Sequence, residues 1–233
     1  MEGWRRYLTE ADEQEPSNEL RKTGAKSTHL AIFDFDKVLF NPIPSPVPAM
    51  TYYWVDTVAS LAGTPVEEGI KKARELSVDH TIVILTARAV VDKERLDKAG
   101  NKYGDIFNQF MAQHNTEELT DDVFNAKVAE LLGFMPQSII RTNNEFNSAM
   151  YKKNRFADIV RGFVKPNKQR HNVKFFDNDK KTFNAVVDVP LQIGDKYVID
   201  YEYYLTTNGF DVPTVTKSTS TEKKSKETTP EEK

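Results

Sequence analysis

Short apolar runs alternate with helical patterns through the middle of the chain. Runs rich in β-branched and aromatic residues predict buried strands, and these lie at residues 29–35, 81–85, 173–176 and 197–201. Apolar residues at helical spacing predict helices, and these lie at residues 52–61, 66–76, 90–99, 121–132 and 147–161. Strands interleaved with helices predict an α/β fold, a three-layer α/β/α sandwich around a mostly parallel sheet.

Local signals predict where several of these elements begin and end. Thr64-Pro65-Val66-Glu67 has the pattern of a capping box with proline at the first helical position. Gly133 and Gly162 follow two helical patterns and are expected to end them. The four prolines within residues 41–48 predict an extended loop. Residues 103–115 are open to two interpretations, a strand with a small cap or a segment of the core.

The two ends of the chain have a different composition from its middle. Residues 1–28 are mostly polar, and from Thr214 onward only Val215 is apolar. Such segments cannot bury enough apolar surface to order themselves. We therefore predict one domain at residues 29–212, a flexible extension at 1–28 and a disordered tail at 213–233.

Composition excludes several kinds of function. The chain has no cysteine, which rules out disulfides, thiolate zinc sites and a cysteine nucleophile and suits a reducing cytoplasm. We find no apolar run long enough to span a bilayer and no signal peptide, and we expect no membrane partner. The net charge of −3 gives no overall attraction to nucleic acid, although the basic stretch at 165–171 could contact a phosphate backbone. No obligate protein partner is evident.

Polar side chains follow three of the predicted strands. The carboxyl ends of parallel strands meet at one edge of a sheet, where such folds bind ligands. The side chains expected there are Asp34, Asp36, Thr86, Arg88, Asp177 and Asp179, with Lys152 and Lys153 on the preceding helical segment. Carboxylates, a hydroxyl and a lysine together suit Mg²⁺-assisted phosphoryl transfer, because carboxylate oxygens bind the hard cation and the positive charges neutralise phosphate.

The order and spacing of these residues resemble the haloacid dehalogenase-like (HAD) phosphohydrolase superfamily. Asp34-Phe35-Asp36-Lys37-Val38 matches its first motif, and Thr86, a lysine and Asp177 match the other three. The resemblance covers most of residues 29–185 and implies a Rossmann-like sandwich with a small or absent cap. The proline-rich loop after residue 40 and Phe175-Phe176-Asp177 are similar to the HAD domains of Swiss Army Knife RNA repair proteins and polynucleotide phosphatases.

The resemblance implies a role for each residue. Asp34 would attack phosphorus and form an aspartyl-phosphate, while Asp36 would protonate the leaving oxygen and then deprotonate water. Mg²⁺ would be held by Asp34, the backbone carbonyl of Asp36 and Asp177. Thr86 would bind a phosphoryl oxygen, and a lysine would stabilise the developing charge. Lys152 is favoured over Lys153, because Tyr151-Lys152 resembles the aromatic-lysine pair of the RNA repair members.

Other interpretations of the same residues stay open. Asp34 and Asp36 could be loop carboxylates that cap the next element, or the metal-binding Asp-x-Asp of a nucleotide-sugar transferase. Arg88 could contact substrate or be a solvated residue. Asn178 stands where a second acid is expected, so Asp179 could join the metal site or the chain could be a degenerate binding protein. The substrate predicted first is a phosphorylated RNA or DNA end, and the alternative is a small metabolite or nucleotide.

Overall fold

The structure, a computed structural model, describes residues 27–45, 57–89, 100–113, 119–142, 148–164, 170–189 and 198–219, together with Asp97. Several predictions fall outside these residues. They are the extension up to residue 26, the loop and helix at 46–56, most of the helix at 90–99, the basic residues 165–169 and the tail beyond residue 219.

Eight strands and five α-helices lie wholly within the described residues, and residues 97 and 100–103 are also helical. The strands are β1 (His29–Phe33), β2 (Phe40–Asn41), β3 (Thr64–Pro65), β4 (His80–Ala89), β5 (Ser138–Thr142), β6 (Arg170–Asp177), β7 (Val198–Leu205) and β8 (Val215–Ser218). The helices are α1 (Glu67–Leu76), α2 (Asp105–Gln113), α3 (Asp121–Leu132), α4 (Ser148–Phe163) and α5 (Lys180–Val187). Short 3₁₀ turns lie at Val58–Leu61 and Thr206–Asn208.

Six of the strands form one sheet in the order β5-β4-β1-β6-β7-β8. The first five run parallel, and β8 pairs antiparallel to β7 at the edge. The mixed α/β fold with a mostly parallel central sheet is therefore confirmed. The strands β2 and β3 form a separate antiparallel pair between β1 and α1. Among the described helices, none is long and apolar enough to cross a bilayer.

Side chains alternate along β1 and build a core on each face of the sheet. Ala31 and Phe33 pack into one core with residues of α1 and α3, whereas Leu30 and Ile32 pack into the other with residues of α4 and α5. This two-sided burial explains why β1 is apolar from Leu30 to Phe33, as strands of a covered parallel sheet are. Helices thus cover both faces of the sheet.

The chain reverses its direction of travel across the sheet at β1. It passes from β1 to β4 and then to β5 on one side, and it returns to β6 on the other side of β1. Strands that diverge in this way leave a crevice beyond their carboxyl ends, and ligands of open α/β sheets bind there. The ends of β1 and β6 flank that crevice.

Two of the predicted helix ends differ from those in the structure. Thr64 and Pro65 pair with Asn41 and Phe40, so the predicted capping box does not form, and α1 begins at Glu67 after an N-cap, Val66, without a side-chain cap. Gly162 does not end α4, because the helix continues to Phe163, which is buried in the core. The prediction for the other helix is confirmed, since Gly133 adopts the left-handed conformation that ends α3.

Three segments differ from their predictions. Residues 215–218 form β8, so the fold extends beyond residue 212 and the predicted tail does not begin at 213. Strand β5 was not predicted. Within residues 103–115, α2 is a helix with Phe107 and Phe110 buried, so this segment supplies core residues and is not a strand. Strand β1 ends two residues before the predicted boundary, while β4 runs on to Ala89.

Candidate active site

Asp34 follows β1 at the carboxyl edge of the sheet. Its backbone N–H donates to the carbonyl of Phe176 at 2.9 Å, which continues the pairing of β1 with β6. One carboxylate oxygen, Oδ1, accepts a hydrogen bond from the Phe35 N–H at 2.8 Å. The other, Oδ2, lies 2.7 Å from Nζ of Lys152. The side chain is buried, so both contacts are made away from water.

Lys152 joins Asp34 to Asp177. Its Nζ lies 2.7 Å from Oδ2 of Asp34 and 2.9 Å from Oδ2 of Asp177. Lys152 is four residues before Phe156 and eleven before Phe163, so it lies on the buried face of α4. Lys153, the alternative in the sequence, is only half-buried. The structure therefore brings Lys152 to the two carboxylates.

Asp177 and Asp179 have separate roles at the end of β6. Asp177 is fully buried, and its Oδ1 accepts a hydrogen bond from the Asp179 N–H at 2.8 Å. The carboxylate of Asp179 caps α5 by accepting from the backbone N–H groups of Lys181 and Thr182. Asp179 therefore supports Asp177 through its backbone while its own carboxylate is used in the cap. Nothing in the sequence distinguished an Asp179 that caps a helix from an Asp179 that binds a metal.

Burial and charge shift the acidity of the cluster. Burial raises the pKa of Asp34 to about 7, against the opposing effect of Lys152 and with a further contribution from the Asp177 carboxylate. Burial alone would lower the pKa of Lys152, but Asp34 and Asp177 together hold it above its ordinary value. The two carboxylates therefore favour the charged form of Lys152, whereas burial favours the neutral form of Asp34.

Asp36 makes a second charged cluster, with Arg88. Nε of Arg88 donates to both oxygens of Asp36, at 3.1 and 3.0 Å, and Nη2 donates to Oδ1 at 2.8 Å. Nη1 donates to Oγ of Ser60 at 2.8 Å. The sequence predicts that Arg88 contacts substrate. In the structure its guanidinium instead donates hydrogen bonds to Asp36. Ser60 carries no sequence signal that would have placed it here.

Thr86 lies inside β4, whereas the sequence predicts it just after a strand. It is fully buried and pairs in register with Arg141 of β5, where the ladder shifts between Thr86 and Ala89. Its Oγ1 accepts a hydrogen bond from the Arg88 N–H at 3.3 Å. The hydroxyl thus helps to satisfy the backbone where the strand becomes irregular, at the same edge of the sheet as Asp34.

The capacity of these residues to hold a metal depends on two carboxylates. Among the described residues, no three His, Asp or Glu side chains are grouped as a metal site. Asp34 and Asp177 remain as a pair of carboxylates with hard oxygen donors, joined by Lys152. The HAD resemblance implies that Asp36 would bind the metal through its backbone carbonyl. Asp34 and Asp177 outnumber Lys152, the cation that joins them, by one formal charge. A divalent cation with oxygen ligands fits this donor set.

The fold and the site define a mixed α/β protein with buried, paired carboxylates at the carboxyl edge of its sheet. No protein-family model, curated protein or solved structure matches the chain. Its function has to be inferred from the chemistry of the site.

Proposed function

We propose that the protein is a Mg²⁺-dependent, HAD-like phosphohydrolase that acts through an aspartyl-phosphate on Asp34. The observation that carries this proposal is the cluster of Asp34, Lys152 and Asp177. Its members lie just after β1, on α4 and at the end of β6, and they meet beside the crevice where the chain reverses direction. A buried charge cluster is costly unless it is paired, and such clusters concentrate at functional sites.

Asp34 is suited to be the nucleophile. One of its carboxylate oxygens would form a bond to phosphorus while the ester bond to the leaving oxygen breaks. Lys152 orients the carboxylate through its contact at 2.7 Å and supplies positive charge against the transferred phosphoryl group. Asp36 would give a proton to the leaving oxygen and later take one from the attacking water. Thr86 would donate a hydrogen bond to a phosphoryl oxygen.

The formal excess of negative charge explains why a cation is part of the proposal. A phosphate group carries negative charge and would be repelled by the carboxylates of Asp34 and Asp177, which share a single lysine. Asp34, Asp177 and the carbonyl of Asp36 would hold Mg²⁺. When bound, Mg²⁺ supplies charge that favours the carboxylate form of Asp34 and neutralises phosphoryl oxygens.

For the substrate we propose a phosphorylated RNA or DNA end, with cytoplasmic activity. This choice is supported by the similarity of Phe175-Phe176-Asp177 to polynucleotide phosphatases. A small-metabolite or nucleotide phosphatase would use the same chemistry. Binding to an oligonucleotide that weakens as salt rises would favour the polymer, because contacts to a phosphate backbone release counterions.

The experiment is a phosphate-release assay with p-nitrophenyl phosphate and a 3′-phosphorylated oligonucleotide, with Mg²⁺ and with EDTA. Asp34→Asn is expected to lower turnover by at least about 10³-fold, as loss of a nucleophile does, and EDTA is expected to abolish it. Asp79→Asn is the matched control, because Asp79 lies beside His80 at the opposite edge of the sheet. Undiminished turnover in Asp34→Asn would exclude the aspartyl-phosphate mechanism.

A further inference from the structure

Arg88 lies behind Asp36 when the pair is viewed from solvent. The side chain of Arg88 is 1% exposed, whereas that of Asp36 is 28% exposed. A ligand that arrives from solvent therefore meets the carboxylate, and it could reach the guanidinium only if the surroundings repacked. This burial argues against direct contact between Arg88 and a substrate.

The guanidinium is held in one orientation by groups on several elements. Its central carbon lies 5.3 Å from the ring centroid of Phe35 and 5.9 Å from that of Phe124 on α3. Ser60 accepts one of its hydrogen bonds from the 3₁₀ turn before α1. A planar donor fixed in this way presents a rigid fork to a carboxylate. The orientation of Asp36 is therefore imposed through Arg88.

The contacts also distinguish the two oxygens of Asp36. Oδ1 accepts two hydrogen bonds from Arg88, from Nε and Nη2, whereas Oδ2 accepts one, from Nε. A carboxylate oxygen has two lone pairs. Within the described part of the chain, Oδ2 thus keeps acceptor capacity on a residue that is partly exposed.

We propose that Arg88 is a positioning residue for Asp36, which it orients with Oδ2 directed toward the reacting ester. This inference rests on the proposed phosphohydrolase function. In the first step, the proton on Oδ2 would move to the leaving oxygen as the bond from phosphorus to that oxygen breaks and the bond to Asp34 forms. In the second, Oδ2 would take a proton from water as the water oxygen bonds to phosphorus and releases Asp34.

Comparing phosphate esters with two kinds of leaving group distinguishes a positioning role of Arg88 from a role in substrate binding. Nitrophenolate is a weak base and departs without a proton, whereas an alkoxide needs one. Arg88→Lys and Arg88→Gln are expected to lower kcat about 10²-fold for an alkyl ester, either a 3′-phosphorylated oligonucleotide or glycerol 2-phosphate, but less than about 10-fold for p-nitrophenyl phosphate. KM is expected to change less than about 3-fold. Asp36→Asn should show the same selectivity, and adding Arg88→Gln to it should cause no further loss.

The matched control is Arg74→Lys. Arg74 donates two hydrogen bonds away from the proposed site, to the carbonyls of Leu132 and Leu131 at the end of α3, at 2.8 and 2.9 Å. Its replacement should shift thermal unfolding without discriminating between leaving groups. Because Arg88 is buried, each variant is compared only after its unfolding transition is shown to be cooperative, and Arg88→Lys keeps the charge if Arg88→Gln does not fold.

Each result of this experiment has a defined meaning. A raised KM with equal losses for both leaving groups would overturn the positioning role and make Arg88 a substrate-binding residue. Further loss from Arg88→Gln in the Asp36→Asn background would overturn it as well. A wild-type protein that hydrolyses neither kind of ester would overturn the proposed function, and this inference with it.

Discussion

Strand β6 carries an ion pair near each of its ends and one between them, and the three differ in burial. At its beginning, Arg170 pairs with Asp200 of β7, with the arginine side chain 72% exposed. In its middle, Lys174 lies 2.5 Å from Glu202, and the side chains are 16% and 24% exposed. At its end, Asp177 pairs with Lys152, and the side chains are 0% and 3% exposed.

The comparison shows that the contribution of an ion pair to stability depends on how deeply its position in the sheet buries it. The first two pairs join neighbouring strands and remain in contact with water, where an ion pair contributes little. The third joins a strand to a helix and a second carboxylate in the interior, where desolvation is costly. Because burying this third pair costs desolvation free energy without a clear gain in stability, we infer that the pair serves function at the carboxyl edge of the sheet.

The largest effect on stability is expected at Lys152. Lys152→Met removes the cation between Asp34 and Asp177 and leaves two buried carboxylates without it. Breaking a buried pair in this way costs about 3–5 kcal/mol of unfolding free energy. Lys153→Met is the matched control, because Lys153 is half-buried on the same helix. It is expected to change the unfolding free energy by no more than about 0.5 kcal/mol.

Urea unfolding of the two variants at neutral pH measures the difference. Equal stabilities for Lys152→Met and Lys153→Met would show that the buried cluster does not depend on its lysine. A stable Lys152→Met variant without turnover would separate the role of the lysine in chemistry from its role in folding.

The sequence was sufficient to predict the strand-end carboxylates, since they interrupt apolar runs. Asp34 and Asp177 each follow a stretch that is buried on both faces, and the structure joins them through Lys152. The pairing of Asp36 with Arg88 was not predicted, because placing both residues at one edge of the sheet does not determine which side chain each of them contacts. Only the folded arrangement of β1 and β4 brings the two together.

Elements whose buried residues form a periodic apolar pattern were predicted from the sequence. Elements without such a pattern were not. Strand β8 is an exposed edge strand, with one half-buried residue followed by three exposed ones, so its sequence reads like a polar tail. The helix start at Thr64 was wrong because pairing with β2 determines the conformation of Thr64 and Pro65. At Thr64 and Pro65, local propensity gives way to a tertiary contact.

An intermediate effect is expected at Glu202, and it depends on pH. Burial alone would raise the pKa of Glu202, but hydrogen bonds from Lys174, Tyr204 and Asn172 lower it overall. A carboxyl group whose pKa is lower in the folded state stabilises the protein above its unfolded pKa, and the contribution is lost as pH falls through the folded value. Glu202→Gln should therefore cost about 1 kcal/mol at pH 7 and progressively less in acid.

Urea unfolding of wild type and Glu202→Gln between pH 7 and pH 3 measures this dependence. The two stability curves are expected to converge as pH falls. A difference that stayed constant over the whole range would mean that Glu202 contributes through packing and neutral hydrogen bonds instead of charge.

The smallest effect is expected at Arg170. Its Nη2 donates to Asp200 at 3.0 Å, and its Nε also contacts that carboxylate, so the pair is bidentate. The arginine is nevertheless exposed, and its charge is screened by water and salt. Arg170→Ala should leave the urea midpoint unchanged within error at 0.15 M salt. A clear drop that disappears at high salt would show that bidentate geometry compensates for exposure, and the stability contributed along β6 would then not follow burial alone.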